Sequence, residues 1–113
     1  MTKFDAADMS DLAVGAALLG SGGGGDPHIG RLLAEQAIAG HGPVNVVPLS
    51  DVPDDATVFP IAMMGAPTVM HEKPPATGQA ARTVTALATY LGEEPTHIAC
   101  AEAGGMNSTI PFT

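Results

Sequence analysis

A glycine-rich run at residues 20–25, Gly-Ser-Gly-Gly-Gly-Gly, constrains the folding of this chain more than any other segment. Asp26-Pro27 follows it directly. Aspartate is a preferred N-cap and proline fits the first helical position, so a helix is predicted over about residues 27–39. The run therefore ends at a helix N-terminus, where free N–H groups favour an anion or a carbonyl oxygen. The residues expected to bind substrate here are Gly22, Gly23, Gly24, Gly25 and Asp26.

Two other interpretations of the glycine run stay open. The run can be a flexible connector, with Asp26 acting only as a helix cap. Gly20, Gly22 and Gly25 also match the G-x-G-x-x-G spacing of dinucleotide-binding proteins. That fingerprint requires a strand before the loop, whereas the Ala- and Leu-rich segment at residues 11–19 predicts a helix. Nucleotide binding is therefore an alternative and not the first choice.

Periodicity predicts three helices and three short strands. The helices are predicted at about residues 10–19 (capped by Ser10 or Asp11), 27–39 (ended by Gly40) and 77–91 (capped by Thr77, ended by Gly92). The strands are predicted at residues 44–48, 57–64 and 97–101. The side chains expected to face inward are Leu12, Ala16 and Leu19, then Ile29, Leu32, Leu33 and Ala37, then Ala80, Val84, Leu87 and Leu91.

Strands that alternate with helices indicate an α/β fold with a mainly parallel sheet and flanking helices. The continuous apolar run at residues 57–64 is typical of a strand covered on both faces. Three short strands make a thin sheet. We therefore expect a domain that is incomplete in this chain or that requires a partner chain.

The charge balance excludes several classes of partner. Four Lys and Arg residues oppose twelve Asp and Glu residues, for a formal net charge of −8. Nucleic-acid backbones and anionic membranes favour the opposite sign, so neither is expected as a partner. The first residues lack the apolar core of a secretion signal, and a single cysteine, Cys100, fits a reducing compartment. The cytoplasm is the expected location.

Ligands of open α/β sheets bind beyond the carboxyl ends of the strands, and two polar, glycine-containing segments occupy such positions. They are residues 65–73 and residues 102–109. Glu102 follows an apolar strand, so we expect it to face a partly dry cleft that suits proton transfer. Glu72 is the second candidate catalytic carboxylate, although Glu72-Lys73 can also be an exposed charge pair of small energetic value. Further residues expected to bind substrate are Gly65, Gly104, Gly105 and Asn107, the last through its amide.

Histidine spacing does not predict a metal site. His28, His71 and His97 form no H-x-x-x-H pattern, so polar histidines without a metal are the simpler interpretation. His71-Glu72 is the pair that most merits a test. Cys100, within a predicted strand, is more typical of a small buried side chain than of a nucleophile.

Four separated motifs, taken in order, resemble the S-methyl thiohydantoin desulfurase family (DUF917), which neighbours hydantoinase and oxoprolinase systems. They are Gly-Gly-Gly-Gly-Asp-Pro-His-Ile-Gly at residues 22–30, Met-Met-Gly-Ala-Pro-Thr-Val at 63–69, Glu72-Lys73, and Glu-Ala-Gly-Gly-Met-Asn at 102–107 with Ile-Pro-Phe at 110–112. The resemblance implies a Rossmann-like N-terminal domain followed by a C-terminal domain. It identifies residues 1–113 as the N-terminal part of the α/β domain, with the remainder of that domain and the C-terminal domain absent. His28 often corresponds to tyrosine in relatives and His71 to an apolar residue.

The resemblance implies a hydrolase that removes thiol or sulfide from a hydantoin- or thiohydantoin-like ring with water. It also implies assistance by a divalent metal such as zinc, whose ligands cannot be assigned within this segment. In our hypothesis, backbone N–H groups of the glycine loops polarise ring carbonyls, Asn107 recognises a ring N–H, and Glu102 or Glu72 activates water. The alternatives are a non-catalytic binding subunit of a hydantoinase-type assembly and a dinucleotide-binding Rossmann domain. The expected partners are a small polar cyclic ureide or thiohydantoin, and either further copies of the chain or a partner chain.

Overall fold

The computed structural model describes residues 1–113 and contains four α-helices and four short strands. In chain order the elements are β1 (Thr2–Phe4), α1 (Asp8–Gly20), α2 (Pro27–His41), β2 (Val44–Val46), β3 (Val58–Ile61), α3 (Pro67–Glu72), α4 (Gln79–Leu91) and β4 (His97–Cys100). Short 3-10 helices form at Leu49–Asp51, Gly105–Ser108 and Ile110–Phe112. None of the helices combines the length and the apolar content that a membrane crossing requires.

The α/β class is confirmed, but the strands form two separate sheets instead of one mainly parallel sheet. β3 pairs in parallel with β4, in the register Val58 with His97. β2 pairs antiparallel with β1, a strand that the sequence did not predict. With only three residues, β1 is too short to show an alternating pattern, and only its pairing with β2 defines it.

The predicted start of α2 is confirmed. Asp26 Oδ1 accepts a hydrogen bond of 2.8 Å from the His28 N–H, and Pro27 occupies the first helical position. The helix passes the predicted stop at Gly40 and ends before Gly42, whose N–H donates to the Ile38 carbonyl. Gly40 has ordinary helical backbone angles, so it lowers the stability of the helix without ending it.

The predicted caps of α1 and α4 are wrong. α1 begins at Asp8, ahead of Ser10, because Asp5 and Asp8 close the turn before it: the Asp5 carboxylate accepts from the Ala7 N–H and the Asp8 carboxylate from the Asp5 N–H. α4 begins after Gly78, which has a positive φ of 77°, and not after Thr77. α3 was expected to be loop, but Pro67 pre-sets the first turn of a six-residue helix there.

The buried faces of the helices differ from the predicted stripes. α1 buries Met9, Ala13 and Ala16, and α2 buries Gly30, Ala34 and Ile38. Four of these six residues are alanine or glycine, and small side chains let two helices approach closely. Of the predicted inward residues, Ala16 is buried, whereas Leu19, Leu32 and Leu91 are exposed.

β3 is covered on one face only, contrary to the prediction from its continuous apolar run. Phe59 and Ile61 are buried, whereas Val58 is 41% exposed. In the neighbouring strand β4, Ile98 is 36% exposed and Cys100 is exposed. The parallel pair therefore has apolar residues that this chain leaves uncovered.

Two small apolar clusters form the interior. One contains Ile61, Met70, Met106 and Ile110 and joins β3, α3 and the C-terminal 3-10 helices. The other contains Met9, Ala34 and Ile38 and joins α1 to α2. Residues 104–109, which follow β4, lie against both α1 and α2. That packing brings the end of β4 next to the glycine-rich loop.

Candidate functional site

The glycine-rich loop packs directly against the segment that follows β4. The Met106 N–H donates to the Gly25 carbonyl at 3.1 Å, and the Asn107 N–H donates to the Gly24 carbonyl at 3.0 Å. We call this contact between residues 20–25 and residues 104–107 the glycine junction. It joins two segments that are about eighty positions apart in the sequence, as their residue numbers show.

The absence of side chains is what allows this contact. A Cβ atom on Gly24 would collide with the Gly104 carbonyl oxygen, and one on Gly105 would collide with the Gly23 carbonyl oxygen. Both glycines also have positive φ, 79° and 59°, a conformation that side chains disfavour. Much of the glycine run therefore serves close packing between backbones, a role that neither the ligand nor the connector interpretation had included.

A cavity of about 620 Å³ opens beyond the carboxyl ends of β3 and β4, beside the glycine junction. Five of the predicted site residues line it, namely Gly24, Gly25, Gly65, Glu102 and Asn107. The structure thus brings together groups from three separated motifs. Its lining does not include Gly22, Gly23, Asp26, Glu72, Gly104 or Gly105.

Two glycines that line this cavity have backbone N–H groups without a partner in the protein. The N–H groups of Gly24 and Gly25 donate to no protein acceptor, whereas the Gly23 N–H donates to the Gly20 carbonyl at 2.8 Å. The loop follows helix α1 and not a strand, so the context that the dinucleotide fingerprint requires is missing.

Asn107 connects the end of β3 to Glu102. Its Oδ1 accepts a 2.7 Å hydrogen bond from the Met63 N–H, and its Nδ2 donates to the Met63 carbonyl at 3.3 Å. The same Nδ2 donates to Glu102 Oε1 at 2.7 Å. The Met63 N–H can only donate, so this network fixes the orientation of the amide. At 4% exposure the Asn107 amide is fully used within the protein.

Glu102 is an exposed carboxylate at the rim of the cavity. Oε1 accepts from Asn107, and Oε2 has no partner in the protein. The carboxylate is therefore held by one oxygen and free to bind water or a ligand through the other. Residues 1–113 therefore do not form the partly dry cleft that we expected around Glu102.

Asp26 and Glu72 lie outside the cavity. Asp26 caps α2 through Oδ1, and its Oδ2 lies 3.6 Å from His71 Nε2. This contact ties the glycine loop to α3. Glu72 is exposed and forms no ion pair within 4.0 Å, with Lys73 or with any other cation.

The residues of this chain do not fit a metal ion. No group of three or more His, Cys, Asp or Glu side chains lies close enough to hold one. The histidines are dispersed, with His71 beside Asp26 and His97 Nδ1 at 2.9 Å from the Thr96 hydroxyl.

Two polar side chains of the cavity were not predicted as site residues. Lys73 and Gln79 both line it, Lys73 at the end of α3 and Gln79 at the start of α4. Lys73 stood in the Glu72-Lys73 motif, where it was interpreted only as a counter-charge to its neighbour. Nothing local in the sequence distinguishes Gln79, because its position depends on how α4 packs.

A second cavity, of about 360 Å³, lies between α2 and the start of α4. His41 is its only ionisable side chain, and it contains neither a carboxylate side chain nor a residue of the glycine-rich loop. The cavity beside Glu102 is accordingly the better candidate for a catalytic site.

Comparison with known proteins gives one match. A family model described as S-Me-THD-like, N-terminal domain, matches residues 7–113. No curated protein and no solved structure matches the chain.

Proposed function

The chain belongs to the family of S-Me-THD-like N-terminal domains, and we propose that it supplies the catalytic carboxylate of a thiohydantoin desulfurase. The observation that carries this proposal is the hydrogen-bonded series Met63–Asn107–Glu102 at the rim of the cavity. It holds a carboxylate in place with one oxygen free. In this proposal, residues 1–113 are the N-terminal part of the full-length enzyme.

The size and lining of the cavity suit a small cyclic ureide. Its volume of about 620 Å³ falls in the range of small-molecule sites, roughly 300–1,000 Å³. Methionine, alanine and proline side chains form apolar walls for a flat ring, and Glu102, Lys73 and Gln79 provide polar contacts. The free N–H groups of Gly24 and Gly25 are donors for a ring carbonyl oxygen, and they stabilise the negative charge that develops there.

The proposed reaction replaces the carbon–sulfur bond of an S-methyl thiohydantoin by a carbon–oxygen double bond. Glu102 takes a proton from water as the water oxygen bonds to the ring carbon that carries sulfur. The electron pair of the C=N bond moves to the ring nitrogen, which accepts that proton. The new hydroxyl then loses its proton to Glu102 while the C–S bond breaks. Methanethiol leaves with the electron pair and the second proton, and a hydantoin remains.

Asn107 is a positioning residue in this scheme. Its amide is occupied by Met63 and Glu102, so it orients the carboxylate and does not read the ring. Glu72 is the weaker catalytic candidate because it lies outside the cavity lining. A divalent metal stays a prediction from the family resemblance, and residues outside 1–113 would have to complete its set of ligands.

We also propose that β3, α4 and β4 begin a Rossmann-like sheet that the remainder of the protein completes. Parallel strands joined through a helix are the unit from which such sheets are built. Parallel sheets are ordinarily covered on both faces, and the exposure of Val58 and Ile98 supports an additional covering layer. That layer can come from the rest of the same chain or from a partner chain.

The test of the proposed function is the Glu102→Gln substitution in the full-length protein. Removing a general base should lower kcat on an S-methyl thiohydantoin by about 10²–10⁴-fold, with methanethiol release as the readout. Glutamine keeps the shape and can still accept from Asn107, so the thermal midpoint should stay close to that of the wild type. Unchanged turnover would remove Glu102 from the mechanism.

Two matched variants accompany this test. Glu94→Gln removes an exposed carboxylate that forms no hydrogen bond or ion pair, so it should leave kcat unchanged. Glu72→Gln separates the two candidate carboxylates, and it too should retain activity. If Glu72→Gln is inactive while Glu102→Gln is active, the assignment is reversed. A wild-type protein that binds the ring without turnover would instead support the non-catalytic binding subunit.

A further inference from the structure

Half of the residues that line the cavity beside Glu102 belong to one stretch of chain, residues 64–75, which contains α3. This stretch forms backbone hydrogen bonds only within itself. It ends in Pro74 and Pro75, which have no N–H to donate. The backbone of this wall of the cavity is therefore not hydrogen-bonded to the rest of the fold, and side chains must hold the wall in place.

Two neighbouring side chains of α3 attach this wall to the rest of the protein. Met70 is the only buried residue of α3, and it packs in the apolar cluster that contains Met106. The next residue is His71, whose Nε2 lies 3.6 Å from Asp26 Oδ2. No other ion pair reaches residues 64–75, so the contact between His71 and Asp26 is the one charged attachment of the wall.

Asp26 is a fixed partner for His71. Its Oδ1 accepts the 2.8 Å hydrogen bond from the His28 N–H that caps α2, and this cap holds the carboxylate in place. Asp26 also follows Gly25 directly, at the end of the glycine-rich loop. Because Gly25 and residues of α3 both line the cavity, the contact joins two of its sides.

The strength of this contact depends on the charge of the histidine. Histidine gains a positive charge as the pH falls through the neutral range, and only the cation attracts Asp26, because 3.6 Å is too long for a hydrogen bond from a neutral imidazole. The other titratable or charged groups of these two elements near the contact are His28 in the first turn of α2 and Glu72 and Lys73 after His71. None of these three forms an ion pair. Since 63% of the His71 side chain is exposed, the pair has the modest strength of a surface ion pair.

We propose that His71 is a positioning residue for the substrate site and that its protonation strengthens the attachment of α3 to the glycine-rich loop. When His71 is charged, α3 is held against Asp26 and the wall of the cavity is complete. When His71 is neutral, Met70 alone holds α3, so the wall opens more often and binds the ring more weakly. This inference rests on the proposed function, because it takes this cavity as the site of the ring.

The first test measures hydrogen exchange of the α3 amides in the ligand-free full-length protein at about pH 6 and about pH 8, corrected for the intrinsic effect of pH on exchange. In the wild type, α3 should exchange about two- to fivefold more slowly at the lower pH, the scale of a surface ion pair. His71→Gln and Asp26→Asn should both abolish that difference. Asparagine still caps α2, so the exchange of α2 itself should not change in Asp26→Asn. His28→Gln is the control, because it removes a histidine that forms no ion pair and should keep the difference.

The second test measures the KM of the full-length enzyme for an S-methyl thiohydantoin. His71→Gln should raise KM about two- to fivefold at the lower pH, because the incomplete wall binds the ring less well. At the higher pH the KM of this variant should match that of the wild type, and kcat should stay nearly unchanged at both. A general loss of structure would instead lower kcat at both pH values and would contradict a positioning role.

Three further results would overturn this inference. They are α3 exchange that does not depend on pH in the wild type, a pH difference that persists in Asp26→Asn, and a KM that His71→Gln leaves unchanged at the lower pH. The exchange measurement requires no turnover, so it separates this inference from the proposed function. If the full-length protein has no desulfurase activity but both variants abolish the pH difference, the attachment of α3 by His71 is supported and the desulfurase is contradicted.

Discussion

The requirements on residue 107 explain why it is an asparagine. The Met63 N–H needs an acceptor, while the Met63 carbonyl and Glu102 Oε1 need a donor. An aspartate supplies only the acceptor and would place a second negative charge beside Glu102, and an aliphatic side chain supplies neither. A buried primary amide meets all three requirements.

We predict that Asn107→Ala destabilises the full-length protein by about 1–3 kcal/mol, because it leaves the partly buried backbone N–H and carbonyl of Met63 without partners. Urea unfolding gives the free energy. Asn45→Ala is the control, because Asn45 is exposed on β2 and forms no side-chain hydrogen bond, so its change should stay within about 0.5 kcal/mol. Equal stabilities of the two variants would show that the Asn107 contacts do not contribute.

At the scale of elements, helix α2 carries two glycines with opposite surroundings. Gly30 is buried, and a Cβ atom there would collide with the Thr109 hydroxyl and lie 2.9 Å from Met106 Cγ. Gly40 lies near the end of the same helix, and a Cβ atom there would meet nothing within 4 Å. Gly30 lets α2 contact the 3-10 helix that follows β4. Gly40 makes no such contact and only lowers the stability of the helix relative to alanine.

The two glycines therefore predict opposite effects of alanine. Gly30→Ala should destabilise the protein by about 1–3 kcal/mol or more through overpacking. Gly40→Ala should stabilise it by up to about 1 kcal/mol, since alanine is the better helix former. Thermal unfolding of the two variants beside the wild type measures both changes. A neutral Gly30→Ala would mean that α2 does not pack closely on residues 106–109.

Local signals predicted three of the four helices and three of the four strands, and missed α3 and β1. Asp26-Pro27 and Gly92 mark helix ends through their own backbone chemistry, and both were placed correctly. The pairing of β1 with β2 depends on residues more than forty positions apart, as the register Thr2 with Val46 shows. No local pattern contains that information. The buried faces were mispredicted because small residues, and not leucines, set the contact between α1 and α2.

At the scale of the whole molecule, the rule that ligands bind beyond the carboxyl ends of strands predicted part of the site. Gly24, Gly65, Glu102 and Asn107 do line one cavity. Glu72 does not line it, because the predicted loop there forms helix α3. The roles of Gly104 and Gly105 in backbone packing, and the position of Lys73, follow only from how distant segments meet. Residue types thus indicated the chemistry, and tertiary packing decided which of them share a cavity.

The most direct measurement is a crystal structure of the full-length Glu102→Gln protein with an S-methyl thiohydantoin bound. The account predicts the ring beyond the ends of β3 and β4, with its sulfur-bearing carbon facing residue 102 and a ring carbonyl oxygen within hydrogen-bond distance of the Gly24 or Gly25 N–H. A ring bound instead in the cavity between α2 and α4, beside His41, would contradict it.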